Sequence, residues 1–100
     1  MIDLNRQVKI LVRTGKFSLG TAEAIEAARM GRAKVIILAS NCPEPFRTDV
    51  IRYAGISGVP VHISEVTSVD LGSMCEKPYM ISAISITEPG DSEILQLAGK

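Results

Sequence analysis

The sequence is poor in aromatic residues. It contains no tryptophan, two phenylalanines and two tyrosines among 100 residues. The core must therefore be built mainly from aliphatic side chains, and an aromatic platform on which single-stranded bases stack is not expected. Tyr79 is the one aromatic residue in a segment typical of a loop.

Long apolar runs and clustered metal ligands are also absent. The longest apolar stretch, residues 35–39, is far shorter than the roughly 20 residues that a membrane helix needs, and no secretion signal is apparent. We therefore expect Cys42 and Cys75 to be reduced thiols in a cytosolic protein. These cysteines and His62 lack the local pairs, such as C-x-x-C, that a structural zinc site uses, so neither a metal nor another cofactor is expected.

The formal net charge is zero, but the charges are unevenly distributed. Residues 1–34 carry seven basic and three acidic residues, whereas residues 35–100 carry four basic and eight acidic residues. A neutral total argues against a strong non-specific binder of polyanions. The basic first third has two interpretations, a solvated helix surface or a source of contacts to an anionic partner, and the composition does not choose between them.

The most informative stretch is residues 35–43. It begins with five consecutive apolar residues, which is typical of a strand buried on both faces of a sheet. The strand ends at Ser40 and Asn41, and Pro43 and Pro45 then predict a short rigid loop. Because ligands of open α/β sheets bind at the carboxyl ends of the strands, Asn41 is the first candidate for a functional residue.

Apolar periodicity predicts five helices and four strands in near-strict alternation. The predicted helices are a first helix capped by Asp3 and ended by Gly15, then residues 22–30 and 47–54, a short helix within residues 65–74 with Thr67 and Ser68 as capping residues and an end around Gly72, and a last helix over 92–98 capped by Asp91. The predicted strands are residues 16–19, 35–39, 60–63 and 80–86. This alternation is typical of an α/β protein, a three-layer α/β/α sandwich with a four-stranded mixed sheet, formed by a single domain over residues 1–100. The pattern gives the faces of the last strand but not its direction.

The Gly20-Thr21 pair lies where a strand turns into an alanine-rich helix. The free backbone N–H groups of such a terminus can bind an anion, for example a phosphate. The commoner use of the pair is structural, with Gly20 making the turn and Thr21 capping the helix. Neither a dinucleotide-type glycine pattern nor a Walker lysine is present, which disfavours a nucleotide site.

Five motifs, in order and at matching spacing, carry a family resemblance over nearly the whole chain. They are Gly20-Thr21, residues 31–43, residues 51–54, residues 70–72 and residues 89–92. In these motifs the sequence resembles the L-thirty type of large-subunit ribosomal protein of archaea and eukaryotes. That type belongs to a wider group of kink-turn RNA-binding proteins, whose fold is the same α/β/α sandwich.

The resemblance implies that residues 1–100 form one domain that binds a bent RNA internal loop with tandem sheared G·A pairs. Base edges that a closed A-form helix hides are open in such a bend. The implied RNA-contacting residues are Gly20, Thr21, Ala22, Asn41, Cys42, Pro43, Arg47, Lys77, Pro78, Tyr79 and Met80. The implied setting is the cytoplasmic ribosome, with ribosomal RNA and other ribosomal components as partners, no catalysis, and a monomer outside the ribosome.

Individual roles follow from the chemistry of these residues. The amide of Asn41 offers both donors and an acceptor to guanine edges. Gly20 permits close backbone approach, and Pro78 with Tyr79 or Met80 would cover an extruded base. The sequence departs from the family pattern after the first glycine, where lysine or arginine is common and Ala22 and Glu23 are found here.

Two alternatives to a ribosomal RNA-binding protein remain open on the sequence. One is a protein of the same wider group that binds a kink turn in an RNA outside the ribosome. The other is a small enzyme or ligand sensor in which Cys42, beside a helix N-terminus, is a stabilised thiolate. The sequence offers no general base to partner that thiol.

Overall fold

The computed structural model of the protein describes residues 4–92, 94 and 95. The chain order alternates helices and strands, as the periodicity predicts. The elements are α1 (Leu4–Thr14), β1 (Lys16–Leu19), α2 (Thr21–Met30), β2 (Val35–Leu38), α3 (Phe46–Ser57), β3 (Val61–Ile63), α4 (Ser68–Met74) and β4 (Ala83–Glu88).

The four strands form one mixed sheet in the order β1-β4-β2-β3. The last strand, β4, pairs antiparallel with both β1 and β2, whereas β2 and β3 are parallel. Ile36, Ile37 and Leu38 of β2 are in register with both neighbouring strands, and the middle one, Ile37, lies opposite Ile84 of β4 and His62 of β3. The direction of the last strand, which the sequence pattern left open, is therefore antiparallel to β1 and β2.

Helices cover both faces of the sheet, which confirms the three-layer sandwich. One layer contains α1 and α4, with Leu11 and Leu71 packed against Ile37. The other contains α2 and α3, where Ala28 and Ala54 are fully buried. All four residues of β2 are buried, as expected for a central strand with helices on each side.

Several predicted boundaries differ from the structure. The last strand begins at Ala83 rather than residue 80, because the N–H of Ile81 donates to Ser68 O instead of to a strand. Helix α4 begins at Ser68, because Thr67 is its N-cap and accepts a bond from the N–H of Asp70, and it ends at Met74 rather than around Gly72. Helix α3 spans Phe46–Ser57 rather than residues 47–54, and Gly58 is its C-cap.

The predictions for the two ends of the chain can be compared with the structure only in part. The Asp3 cap lies outside the described residues, and so does most of the last predicted helix, of which residues 94 and 95 form a short 3₁₀ turn with Ile94 fully buried. Asp91 lies in a turn, where its N–H donates to Thr14 Oγ1 at 2.9 Å. Among the described residues, no helix is long and apolar enough to span a membrane.

The central position of Ile37 makes it a test of the packing. We expect Ile37→Ala to lower the free energy of unfolding by about 2 to 5 kcal/mol, because the side chain is fully buried between the sheet and the α1–α4 layer. Ile56→Ala is the matched control, since Ile56 is 77% exposed and its loss should change stability by less than about 0.5 kcal/mol. Urea denaturation measures both, and equal losses in the two variants would contradict the assigned core.

Candidate nucleic-acid interface

Three loops meet at one edge of the sheet because of the direction of β4. The carboxyl ends of β1, β2 and β3 lie at this edge, which we call the carboxyl edge, and the amino end of β4 lies there too. The N–H of Gly20, after β1, donates to Ala83 O at 2.9 Å. The N–H of Ala39, after β2, donates to Ser82 O at the same distance. The Gly20 turn, the Asn41 loop (residues 39–45) and the Tyr79 loop (residues 75–82) are therefore neighbours.

Asn41 is exposed, and one end of its amide is already bound within the protein. Asn41 Oδ1 accepts a hydrogen bond from the N–H of Ser68 at 2.8 Å, at the first residue of α4. This bond leaves the Nδ2 group of Asn41 as the donor that an outside ligand can meet. The amide therefore presents donors outward and uses its acceptor to cap α4, which differs from the expectation that both would face a ligand.

Ser68 fixes two of the three loops at once, and sequence reasoning did not find it. Its N–H binds the side chain of Asn41, and its carbonyl oxygen accepts from the N–H of Ile81 at 3.0 Å. Its side chain is buried. The only sequence signal was its position beside the capping residue Thr67, which says nothing about a partner 27 residues earlier.

The Tyr79 loop lies directly on α4. A Cβ atom at Gly72 would overlap the carbonyl oxygen of Tyr79, so only glycine lets the loop approach this closely. The N–H of Lys77 also donates to Gly72 O at 3.0 Å. The loop thereby rests against the middle of a helix whose first residue holds Asn41.

An apolar surface is exposed between α4 and this loop. Tyr79 is 56% exposed, Met80 67% and Val69 59%. Together with neighbouring polar groups they line a shallow cavity of about 440 Å³. Val69 was not predicted as a site residue, although its helical spacing from the buried Leu71 and Met74 indicates an outward position. The cavity is lined by Val69, Ser73, Glu76, Lys77, Pro78, Tyr79 and Met80.

The Gly20 turn begins α2 without a side-chain cap. Gly20 is the N-cap residue, with φ 107° and ψ 159°, a backbone conformation that favours glycine. Thr21 is the first helical residue, so the interpretation of Thr21 as the cap is wrong. A Cβ at Gly20 would meet no atom within 4 Å, so the turn is open on that side. Ala22 and Glu23 follow in the first turn and are exposed.

Cys42 does not have the properties of a reactive thiol. Its side chain is 6% exposed and packs with Val50 in the α2–α3 layer, while Pro43 beside it is exposed. Burial and the nearby Glu44 carboxylate raise the pKa of the Cys42 thiol, against the opposing effect of Arg47. These properties disfavour the alternative of an enzyme with a Cys42 thiolate, because the neutral thiol is the favoured form. Burial also raises the pKa of Cys75, to about 11.

The charges around the carboxyl edge are predominantly acidic. Arg47, half-buried in the first turn of α3, and the exposed Lys77 are the basic residues of these loops. Exposed carboxylates on the loops and helix starts of this edge are more numerous: Glu23, Glu44, Glu65, Asp70 and Glu76. Within the part of the chain that the structure describes, no three His, Cys, Asp or Glu residues are arranged to hold a metal ion.

Comparison with known proteins identifies the family. Residues 3–96 match the ribosomal protein L7Ae/L30e/S12e/Gadd45 family. The chain belongs to this family. It is 41% identical over 98 residues to the large ribosomal subunit protein eL30 of Methanothermobacter thermautotrophicus, covering 98% of this chain and 100% of that protein. The protein of the same name from Methanococcus vannielii is 40% identical, over 96% of this chain and 91% of its own length.

A solved structure supports the fold of this family member. A protein of unknown function from Bacillus halodurans superimposes with a TM-score of 0.75, covering 97% of this chain and 98% of its own. The two sequences are only 19% identical, so the likeness concerns the fold alone. The family, identified in the sequence from its motifs, is confirmed by the relatives.

The contact of Gly72 with the Tyr79 loop predicts a position-dependent effect of alanine. Gly72→Ala should lower the free energy of unfolding by about 1 to 3 kcal/mol, because the added methyl group overlaps the Tyr79 carbonyl. Gly55→Ala in α3 is the control, since a Cβ there meets no atom within 4 Å. It should instead raise stability by up to about 1 kcal/mol through helix propensity. The sign difference, measured by urea denaturation, checks the close approach; two stabilised variants would contradict it.

The raised pKa of Cys75 predicts a specific loss of stability at high pH. Burial raises the pKa of the folded thiol to about 11 from its ordinary value of 9.0, so its ionisation is easier in the unfolded chain. The stability difference between wild type and Cys75→Ala should be constant below pH 9.0 and should then fall as pH rises toward 11. Urea denaturation across this range measures the difference. A constant difference up to pH 11 would show that Cys75 is not held as a neutral thiol.

Proposed function

We propose that this chain is a structural component of the large ribosomal subunit that binds a kink turn in ribosomal RNA through its carboxyl edge. The observation that carries the proposal is the meeting of the Gly20 turn, the Asn41 loop and the Tyr79 loop at that edge. Near-full-length similarity to two archaeal proteins named as large-subunit components supports the ribosomal setting.

Asn41 is the proposed base reader. With Oδ1 bound to the N–H of Ser68, the Nδ2 group donates to acceptors on a guanine edge, such as O6 or N7. A bent internal loop offers these atoms because its base edges are not enclosed in a regular A-form helix. Pro43 and the backbone around Cys42 line the same loop, and the buried thiol itself takes no part.

The neighbouring loops have complementary roles. Pro78, Tyr79 and Met80, joined by Val69, form the apolar surface against which an extruded base packs. The open turn at Gly20, with Thr21 and Ala22, brings free N–H groups of α2 close to the RNA backbone. Arg47 and Lys77 meet phosphates, which position the RNA without reading its sequence.

The proposed setting is the cytoplasmic ribosome, with ribosomal RNA and other ribosomal components as partners, and a monomer outside it. The protein acts by binding and has no catalytic step. The curated relatives are named as subunit proteins, which favours this setting over an RNA outside the ribosome.

Two substitutions of Asn41 separate recognition from folding. Asn41→Ala removes both the acceptor for the N–H of Ser68 and the donor, so it should cost about 1 to 3 kcal/mol of discrimination for kink-turn RNA and about 1 kcal/mol of stability. Asn41→Asp keeps an acceptor for the N–H of Ser68 and loses the donors. It should retain wild-type stability but lose the same discrimination.

The measurement is a salt-titrated binding assay with a kink-turn RNA and a stem of equal length that lacks the bend, combined with urea denaturation. Comparing the two RNAs cancels the general effect of the charge that Asn41→Asp adds. If wild-type protein shows no preference for the kinked RNA even at low salt, the proposed function fails. Full discrimination by Asn41→Asp would remove Asn41 as the base reader.

A further inference from the structure

The outer side of α1 is a basic surface. Arg6, Lys9 and Arg13 are exposed and, at spacings of three and four residues, lie on one side of the helix. The opposite side carries Val8 and Leu11, which are fully buried. No acidic residue occurs within Leu4–Thr14. We refer to Arg6, Lys9 and Arg13 as the basic face of α1.

This charge contrasts with the charge of the carboxyl edge. The loops and helix starts of that edge hold two basic residues, Arg47 and Lys77, against five exposed carboxylates. Neutralised phosphates supply nearly all of the affinity in non-specific binding to nucleic acids and a large share of it in specific binding. The carboxyl edge therefore has the groups to recognise an RNA shape but little electrostatic attraction for RNA, and the attraction has to come from elsewhere on the protein.

The basic face begins beside the carboxyl edge. Lys9, with Asn5, lines a groove of about 290 Å³ whose other side is formed by α4 and Val66. Val66 is adjacent to the Asn41 loop, since its carbonyl oxygen accepts from the N–H of Ser40 at 2.8 Å. From Lys9 the face continues one turn, about 6 Å along the helix, to Arg13. Asp70 is the acidic residue among the described lining of the groove.

The composition of the basic face favours RNA over a protein partner. No large apolar side chain within Leu4–Thr14 is exposed, and Ile10, beside Lys9 and Arg13, is half-buried. Protein interfaces have an apolar centre with few charges, whereas phosphate backbones are met by arginine, lysine and polar side chains. The face thus has the charge that suits phosphates without the apolar centre of a protein interface.

We propose that the basic face of α1 binds the phosphate backbone of a second RNA segment, which lies over the α1–α4 layer. This site goes beyond the proposed function, which concerns the carboxyl edge. It requires no kink turn, because phosphate contacts do not depend on base sequence. In this arrangement the edge supplies selectivity, and α1 adds salt-dependent affinity to the phosphate contacts of Arg47 and Lys77.

The test compares two double variants of the full chain that lose equal charge. Lys9→Gln with Arg13→Gln removes two charges from the basic face. The control, Arg29→Gln with Arg32→Gln, removes two exposed charges at the end of α2, in the opposite helical layer. All four side chains are exposed, and thermal unfolding confirms that both variants fold. Affinity is measured from 50 to 200 mM salt on a straight RNA duplex and on a kink-turn RNA.

For duplex binding by the α1 variant, the slope of log Kobs plotted against log salt concentration should be smaller in magnitude by about 2 than for wild type. The loss of affinity relative to wild type is then about tenfold greater at 50 mM than at 200 mM salt. The control should keep the wild-type slope. Equal losses in both variants would show an effect of net charge alone and overturn the proposal. No loss by the α1 variant on either RNA would also overturn it, leaving an acidic protein as the occupant to consider.

The outcome is separable from that of the proposed function. A wild-type protein without preference for kinked RNA, whose α1 variant still loses duplex binding, refutes the role of the carboxyl edge and supports the basic face. If the wild-type protein prefers kinked RNA and the α1 variant binds both RNAs as wild type does, the phosphate-binding role of the basic face is refuted and the role of the carboxyl edge is not.

Discussion

The candidate site depends on the antiparallel pairing of β4 with β1 and β2. Because β4 runs against its neighbours, the loop that precedes it meets the loops that follow β1 and β2. A parallel β4 would have placed Tyr79 at the far end of the sheet, away from Asn41. One strand direction thus decides whether three separate segments form a single surface, and the hydrogen bonds of Gly20 and Ala39 to the start of β4 hold that surface together.

Helix α4 joins two parts of this surface although it is only seven residues long. Its first residue, Ser68, binds both the side chain of Asn41 and the backbone of Ile81, and its fifth residue, Gly72, lies against Tyr79. The helix also packs into the core through the fully buried Leu71. The position of both loops is therefore tied to the packing of the α1–α4 layer, so that core stability and site geometry are coupled.

The sequence allowed the framework to be predicted because the framework depends on local patterns. The apolar run at residues 35–39 indicated a strand buried on both sides, and β2 is buried throughout. The end of this strand marked Asn41, which the structure places at the carboxyl edge. The alternation of residues 80–86 placed the start of the last strand three residues before the true start of β4 at Ala83. Alternation shows which side chains are apolar, but it does not show which acceptor each backbone N–H binds.

The finer details of the site could not be predicted because they depend on contacts between distant residues. The bond between Asn41 and Ser68 spans 27 positions, and no periodicity records it. The close approach at Gly72 and the exposed apolar position of Val69 beside the loop can be recognised only when the packing of the Tyr79 loop against α4 is known. The shortage of positive charge at the carboxyl edge was visible in part from the sequence, in Ala22 and Glu23. The excess of acidic over basic residues there could be counted only once the structure showed which carboxylates lie at this edge.

The bond between Asn41 and Ser68 has a consequence for the thermodynamics of recognition. An exposed asparagine usually samples several rotamers, and fixing such a side chain on binding costs about 0.5 to 1.5 kcal/mol of entropy. Here the N–H of Ser68 orders the amide before any ligand arrives. Asn41 is thus preorganised, and the entropic cost of orienting it falls on folding and not on association.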